Sequence, residues 1–280
     1  MRLDYYIPSL PLRHRLTAHA VVAGVMEPSL ETVPAMLPNL HVRLGGVSGY
    51  AFGGGPVIPA PRVTLLGPTS AAYTMLLEPG VEILTTGLLP QGWLALVGAS
   101  AAAFSDRIVD AAAIWGEGRI ELLCDALASA PGDPARVAVL ESFLCREMRD
   151  LSDMGMGRIA AIDQWLEQSA DLSLDALCGE LEIGARQMRR LALDLYGASP
   201  KTLAMKYRAL RAAALMAAEG EAGLERALEP FADQSHLIRD FRRFVGWTPI
   251  AFARDQRNIA YATLEGRRRA GAVRPLSLLS

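Results

Sequence analysis

The chain has 280 residues, of which 51% are hydrophobic, 6% aromatic and 21% charged, with a formal net charge of −2. That much apolar mass excludes disorder over the whole length and suffices for one large domain or two ordinary ones. No run reaches the roughly 18 apolar residues of a membrane span, no apolar leader segment opens the chain, and Cys124, Cys145 and Cys178 are too scattered for a disulfide framework or a zinc site, so a cytoplasmic protein is expected.

Between residues 18 and 92, apolar runs at 19–26, 41–44, 62–66, 74–77 and 81–84 alternate with breakers such as Glu27-Pro28, Gly45-Gly46, Gly67-Pro68 and Pro79-Gly80. Runs of this length between such breakers predict strands of an antiparallel sheet or small barrel. From Ser105 the period lengthens: a helix is expected from there through about residue 113, then helices over 117–130 and 134–149, with Asp133 as N-cap and Pro134 at the first helical position. Residues 1–150 therefore read as an α+β module of strands followed by helices, and 151–157 (LSDMGMG) as a linker. Beyond it the signal is helical: 158–168, 174–181 behind Ser173, 184–196, 200–219 behind Ser199, 224–229, 234–245 behind Asp233, and a last helix opened by Thr248-Pro249. A helical domain over 158–260 then leaves 261–280 as a loose tail.

The modest net charge conceals an asymmetry. Residues 1–157 carry 10 Arg against 15 acidic residues, whereas 158–280 carry 18 Lys and Arg against 15, which points to an anionic partner on the C-terminal side. The same half contains an internal repeat. Residues 190–200 (RLALDLYGASP) and 239–249 (RDFRRFVGWTP) share Arg, a core position two residues on, Gly seven after the Arg and then Ser/Thr-Pro, at a constant offset of 49. A shorter helix and a tight turn precede each copy, and short helix, turn and amphipathic helix make a helix-turn-helix pattern. At about 100° per residue, Arg186, Arg189 and Arg190 share one face of the first copy while Met188, Leu191 and Leu195 share another. In the second, Ser235, Arg239 and Arg242 oppose Leu237, Phe241 and Phe244. A lone arginine stripe usually marks a solvated face; two stripes in register within one repeat argue for a ligand, and arginine suits guanine edges and phosphates.

Residues 158–254 resemble the C-terminal DNA-binding region of the AraC/XylS family of bacterial transcription regulators. The segment ADQSHLIRDFRRFVGWTP (232–249) is similar to that family's second helix-turn-helix signature, and IGARQMRRLALDLYGASPKTLAMKYR (183–208) to its first recognition helix and the joining helix. The resemblance implies an all-α domain of two helix-turn-helix units joined by one long helix. It implies base or near-base contacts to double-stranded DNA from Arg186, Arg189 and Arg190 in the first unit and Gln234, Ser235 and Arg239 in the second, with Arg242 and Arg243 reaching phosphates. One departure stands out: Pro230-Phe231 occupies a turn where the family usually has Gly before the aromatic, so this turn must be built without a positive φ.

The first module resembles the small barrel-like sensing or dimerisation domains found beside such regions, through Phe104, Asp106-Arg107, Val109 and Trp115-Gly116. This implies a small-molecule effector of unassigned identity. Dimerisation stays open, and contact with RNA polymerase is expected only of an activator. No nucleophile elbow, P-loop or dinucleotide fingerprint is present, and His14, His19 and His41 lack a ligand set, so no catalytic activity, cofactor or metal is expected. The competing reading is a ligand-binding or enzymatic first module joined to a helical partner-binding domain; turnover without DNA, or absence of DNA affinity, would favour it.

Overall fold

In the computed structural model, which describes residues 1–151, 153–167, 173–271 and 276, the apolar runs of the first hundred residues become two antiparallel sheets. The strands are β1 (Arg2–Tyr6), β2 (Leu16–Ala23), β3 (Ser29–Val33), β4 (Asn39–Gly45), β5 (Ser48–Ala51), β6 (Ile58–Pro59), β7 (Val63–Leu66), β8 (Tyr73–Leu77), β9 (Glu82–Leu88) and β10 (Ile108–Asp110). One sheet runs β1-β2-β9-β4-β7-β10 and the other β3-β8-β5-β6. Because successive side chains in a strand point to opposite faces, each central strand of the larger sheet feeds two cores. Val21, Leu65 and Leu84 join Trp93, Leu123 and Leu140 on the helical side, whereas their neighbours Val22, Leu66 and Ile83 meet Tyr50, Tyr73 and Met75 of the smaller sheet.

The helices of this part are α1 (Pro90–Leu96), α2 (Ala112–Trp115), α3 (Glu117–Ser129) and α4 (Asp133–Glu147). Two local expectations are corrected here. The helix expected from Ser105 to about 113 is a turn, a strand and one helical turn: Ile108 pairs with Leu66 and Asp110 with Thr64, so pairing with β7 outweighs local helical spacing. Asp106 sits at φ 54, its carboxylate accepting from the Ser70 amide (2.8 Å) and hydroxyl (2.6 Å). The cap of α4 is Gly132 at φ 88, with Asp133 already inside the helix beside Pro134.

The remaining chain forms α5 (Asp153–Glu167), α6 (Leu174–Glu180), α7 (Ala185–Tyr196), α8 (Pro200–Glu219), α9 (Leu224–Leu228), α10 (Gln234–Phe244), α11 (Pro249–Arg254) and α12 (Ile259–Arg269). The first of these begins inside the segment read as a linker, and α12 occupies much of the segment read as a loose tail, of which 272–275 and 277–280 lie outside the described residues. The physical reason in the second case is tertiary. Ala260 and Leu264 enter the helical core, Ile259 enters the core between the sheets, and Gly266 lies so close to Tyr5 that an added Cβ would sit 2.5 Å from its ring. Around α8 the helical core collects Met188, Leu195, Tyr207, Leu210, Phe241 and Phe252, and it continues into the sheet half through Leu37 and Leu89. Among the described residues, no helix is long and apolar enough to cross a membrane.

Candidate nucleic-acid interface

Each of the two arginine-bearing helices is started by local chemistry legible in the sequence. In the first unit Ser173 caps α6, its hydroxyl accepting from the Ala176 amide at 3.2 Å, and Gly184 opens α7 in extended conformation. In the second, the Asp233 carboxylate accepts from the His236 amide at 2.8 Å and caps α10. That backbone hydrogen bond holds the Asp233 carboxyl below its ordinary range, with a further pull from the His236 ring. Ser199 and Thr248 cap α8 and α11 in the same way, each followed by Pro.

Both helices are strongly two-sided. On α7, Met188, Ala192, Leu195 and Tyr196 are buried while Arg186, Arg189 and Arg190 are exposed. On α10, Leu237, Asp240, Phe241 and Phe244 are buried while Gln234, Ser235, Arg239, Arg242 and Arg243 are exposed. All eight residues named from the sequence are thus on the surface, in two groups on the two repeat copies. Among the described residues none of their six guanidinium groups is in a salt bridge, although Arg243 lies over the Phe244 ring at 4.8 Å. Unpaired, exposed guanidinium groups keep their charge and donors for an anionic partner. His236 is exposed, its Nδ1 3.1 Å from the Asp233 carboxylate; Leu191, expected on the apolar face with Met188 and Leu195, is half-buried, as is Trp247.

Several positioning groups were not read from the sequence. Asp240 is nearly buried and pairs with Arg208 of α8 at 2.8 Å. The same guanidinium lies 4.6 Å from the Phe231 ring centre and donates to the Pro230 carbonyl at 3.4 Å. This is how the turn at Pro230 is built without glycine: Phe231 is buried, its amide donates to the Leu228 carbonyl at 2.8 Å, and Arg208 braces the turn from α8. In the first unit the corresponding anchor is the Tyr196 hydroxyl, which donates to buried Asp163 of α5 at 2.5 Å. An acidic residue on a recognition helix or a tyrosine at its end looks ordinary in one dimension; only the partner helix reveals its use.

The repeat glycines have a further role. Gly197 (φ 76) and Gly246 (φ 88) end the two helix copies, and an added Cβ would lie 2.3 Å from Pro68 in the first case and 2.2 Å from Thr32 in the second. Hydrogen bonds to the sheet half flank both. The Gly197 carbonyl accepts from the Ser105 hydroxyl at 3.0 Å, and the Arg243 and Phe244 carbonyls accept from the Ala72 (2.8 Å) and Ala35 (2.7 Å) amides. Between them, buried Lys206 of α8 donates to the Met36 carbonyl at 2.6 Å and the Thr69 carbonyl at 3.3 Å. Burial pulls its pKa down to about 7, against an upward pull from Asp106.

The other reactive residue types have structural explanations. Buried His19 meets Glu141 of α4 at 3.1 Å, a carboxylate partner remote in sequence. Burial raises the Glu141 pKa, but hydrogen bonds from His19 and the Ser9 amide outweigh it and hold the carboxyl low. Cys124 is buried as a small hydrophobe, whereas Cys145 is exposed.

Comparison with known proteins adds the following. Residues 177–255 match the family model of a helix-turn-helix domain. No curated protein matches the chain. Among solved structures, an apo variant of ToxT from Vibrio cholerae strain SCE256 is 13% identical, covering 84% of this chain and 96% of its own, with a TM-score of 0.48. The unsaturated-fatty-acid-bound ToxT of that strain is 10% identical, covering 85% and 95% with a TM-score of 0.48. ToxT from Vibrio cholerae O395 bound to (E)-4-(8-methylnaphthalen-1-yl)but-3-enoic acid is 11% identical, covering 90% and 97% with a TM-score of 0.46.

Proposed function

We propose that residues 177–255, which match the family model of a helix-turn-helix domain, are the AraC-type DNA-binding domain of a transcription regulator, and that the protein acts in the cytoplasm by reading two major-groove segments of duplex DNA, one with α7 and one with α10. The observation that carries the reading is the pair of exposed, unpaired arginine stripes on the two copies of one repeat. Arg186, Arg189, Arg190, Gln234, Ser235 and Arg239 face base edges; Arg242 and Arg243 hold phosphates, with the capped N-terminus of α10 adding backbone amides. Activity is set by the sheet half, which touches both units through the repeat glycines and α8 and encloses a cavity for a small-molecule effector. A homodimer would double the selected site, and an activator would add a contact to RNA polymerase.

Selection from random duplex DNA with the full chain tests this. Two enriched patches about one helical turn apart are the expected result. A single patch would reduce one unit to positioning, and no enrichment at any salt concentration would overturn the regulator reading in favour of a helical partner-binding domain.

A further inference from the structure

The arginine stripe of α10 borders an apolar flank that polar contacts to bases and phosphates do not use. Gln234, Ile238 and Arg242 stand at successive turns, so they line one side of the helix between its buried and its exposed faces. Leu237, one residue earlier, points into the core and is fully buried, which leaves Ile238 half-buried beside it. A cavity of about 200 Å³ lies along this flank, lined by Gln234, Leu237, Ile238 and Arg242 of α10 and by Pro249 and Ile250 of α11. The Thr248 hydroxyl accepts from the Ala251 amide at 3.2 Å and so fixes that first turn of α11, on which Ile250 keeps 44% of its surface exposed. On the far flank, buried Asp240 ties α10 to Arg208 of α8, so the helix is anchored on the side away from the cavity. Aliphatic side chains left facing water beside an exposed guanidinium describe a surface completed by a partner that is anionic and also carries an apolar group.

We propose that this flank reads thymine: Ile238, together with Ile250, receives the C5-methyl group of a thymine in the major groove, while Arg242 holds the phosphate backbone beside it. The proposal rests on the reading of α10 as a major-groove helix, and it names one base for that helix. Of the groups that distinguish base pairs in that groove, the thymine methyl is the apolar one; the others are hydrogen-bond donors and acceptors. An aliphatic wall gains from covering the methyl group, whereas an amino group or ring nitrogen placed there loses its water without gaining a partner. The spacing places the contact. Ile238 is one turn beyond Gln234, assigned to a base edge, and one turn before Arg242, assigned to a phosphate. The volume is ample for a methyl group, so the contact needs no displacement of Leu237 or Pro249.

The test takes a duplex selected by the full chain and replaces each thymine in turn by deoxyuridine, which as a base differs only by the missing methyl group. At one position in the patch read by α10, Kd is expected to rise about fourfold, the effect of withdrawing one methyl group from an apolar contact. Thymines outside both patches serve as controls, with no change expected. In Ile238→Ala, thymine and deoxyuridine are expected to bind equally at that position; a merely structural role of the side chain would weaken both duplexes and leave their ratio unchanged. Should that variant fail to fold, Ile250→Ala, altered at an exposed position, serves in its place and is expected at least to halve the ratio. Equal binding of the thymine and deoxyuridine duplexes at every position, or a thymine preference that survives in Ile238→Ala, would overturn the proposal and leave the two-helix reading standing. Absence of selection from any duplex would overturn both.

Discussion

At the scale of single residues, the exposed side chains of α10 divide by their place on the helix. Arg239 lies one turn after Ser235 in the middle of α10, while Arg242, on the same face, and Arg243 sit in the last turn beside the carbonyls that dock on the sheet half. A bidentate arginine on a guanine edge is worth about 1–3 kcal/mol of discrimination, whereas an arginine on phosphate contributes equally to every sequence. Arg239→Ala is therefore expected to weaken the selected site by that amount and relax preference at one base position. Arg243→Ala is expected to weaken cognate and random duplex alike and to lower the salt slope by about one. Competition titrations of both variants at several salt concentrations check the assignment; equal losses for Arg239→Ala on cognate and random DNA would move that residue to the phosphates.

At the scale of elements, the two repeat glycines each serve a helix end and a contact between halves. A residue with a side chain at Gly246 would meet both the cost of a positive φ and the Thr32 methyl group. Gly246→Ala is expected to loosen the docking of α10 on β3 and β8 while leaving the Asp233 N-cap of α10 intact. Hydrogen exchange is the suitable readout: the Ala35 and Ala72 amides, which donate to the end of α10, should lose protection before the amides of β9 do. Simultaneous loss in both places would mean that the two halves unfold as one unit. The glycine spacing was readable as a repeat, but a repeat alone explains only the left-handed helix end. That the same two positions also touch Pro68 and Thr32 depends on chain segments more than 100 residues away.

At the scale of the whole molecule, Lys206 is a buried cation at the junction, and its contribution depends on pH with a definite sign. In the unfolded chain a lysine keeps its proton to about pH 10.5, whereas the folded chain releases it near 7. Between those values the unfolded state binds the extra proton, so stability rises with pH. Below 7 both states carry the charge and the full cost of burying it is present. The wild type is accordingly expected to gain in Tm relative to Lys206→Met as pH rises from 7 to 10, and to show no such trend from 5 to 6.5. Parallel profiles across pH 7–10 would mean that the two carbonyl acceptors keep the ammonium charged in the folded state.

The sequence by itself determined what depends on near neighbours. Caps at Ser173, Ser199, Asp233 and Thr248, the 49-residue repeat, the apolar and arginine faces of α7 and α10, and five of the strands follow from interactions within a turn or two of chain, or from a period that shows without a partner. Tertiary structure alone decided the strand at 108–110, helix α12, the Arg208–Asp240 brace under the Pro230 turn and the burial of Lys206 and Arg267. In each of these the local signal is weak or points elsewhere, and the deciding energy comes from a remote partner. β7 pairs with residues 108–110, with hydrogen bonds from the Gly67 amide to the Arg107 carbonyl and from the Ala111 amide to the Val63 carbonyl on either side; both cores supply apolar surface to α12, and carbonyls on distant loops satisfy the Lys206 ammonium. Arg267 was indistinguishable in the sequence from the exposed Arg268 and Arg269 beside it, because burial is a property of the assembled halves and not of the residue.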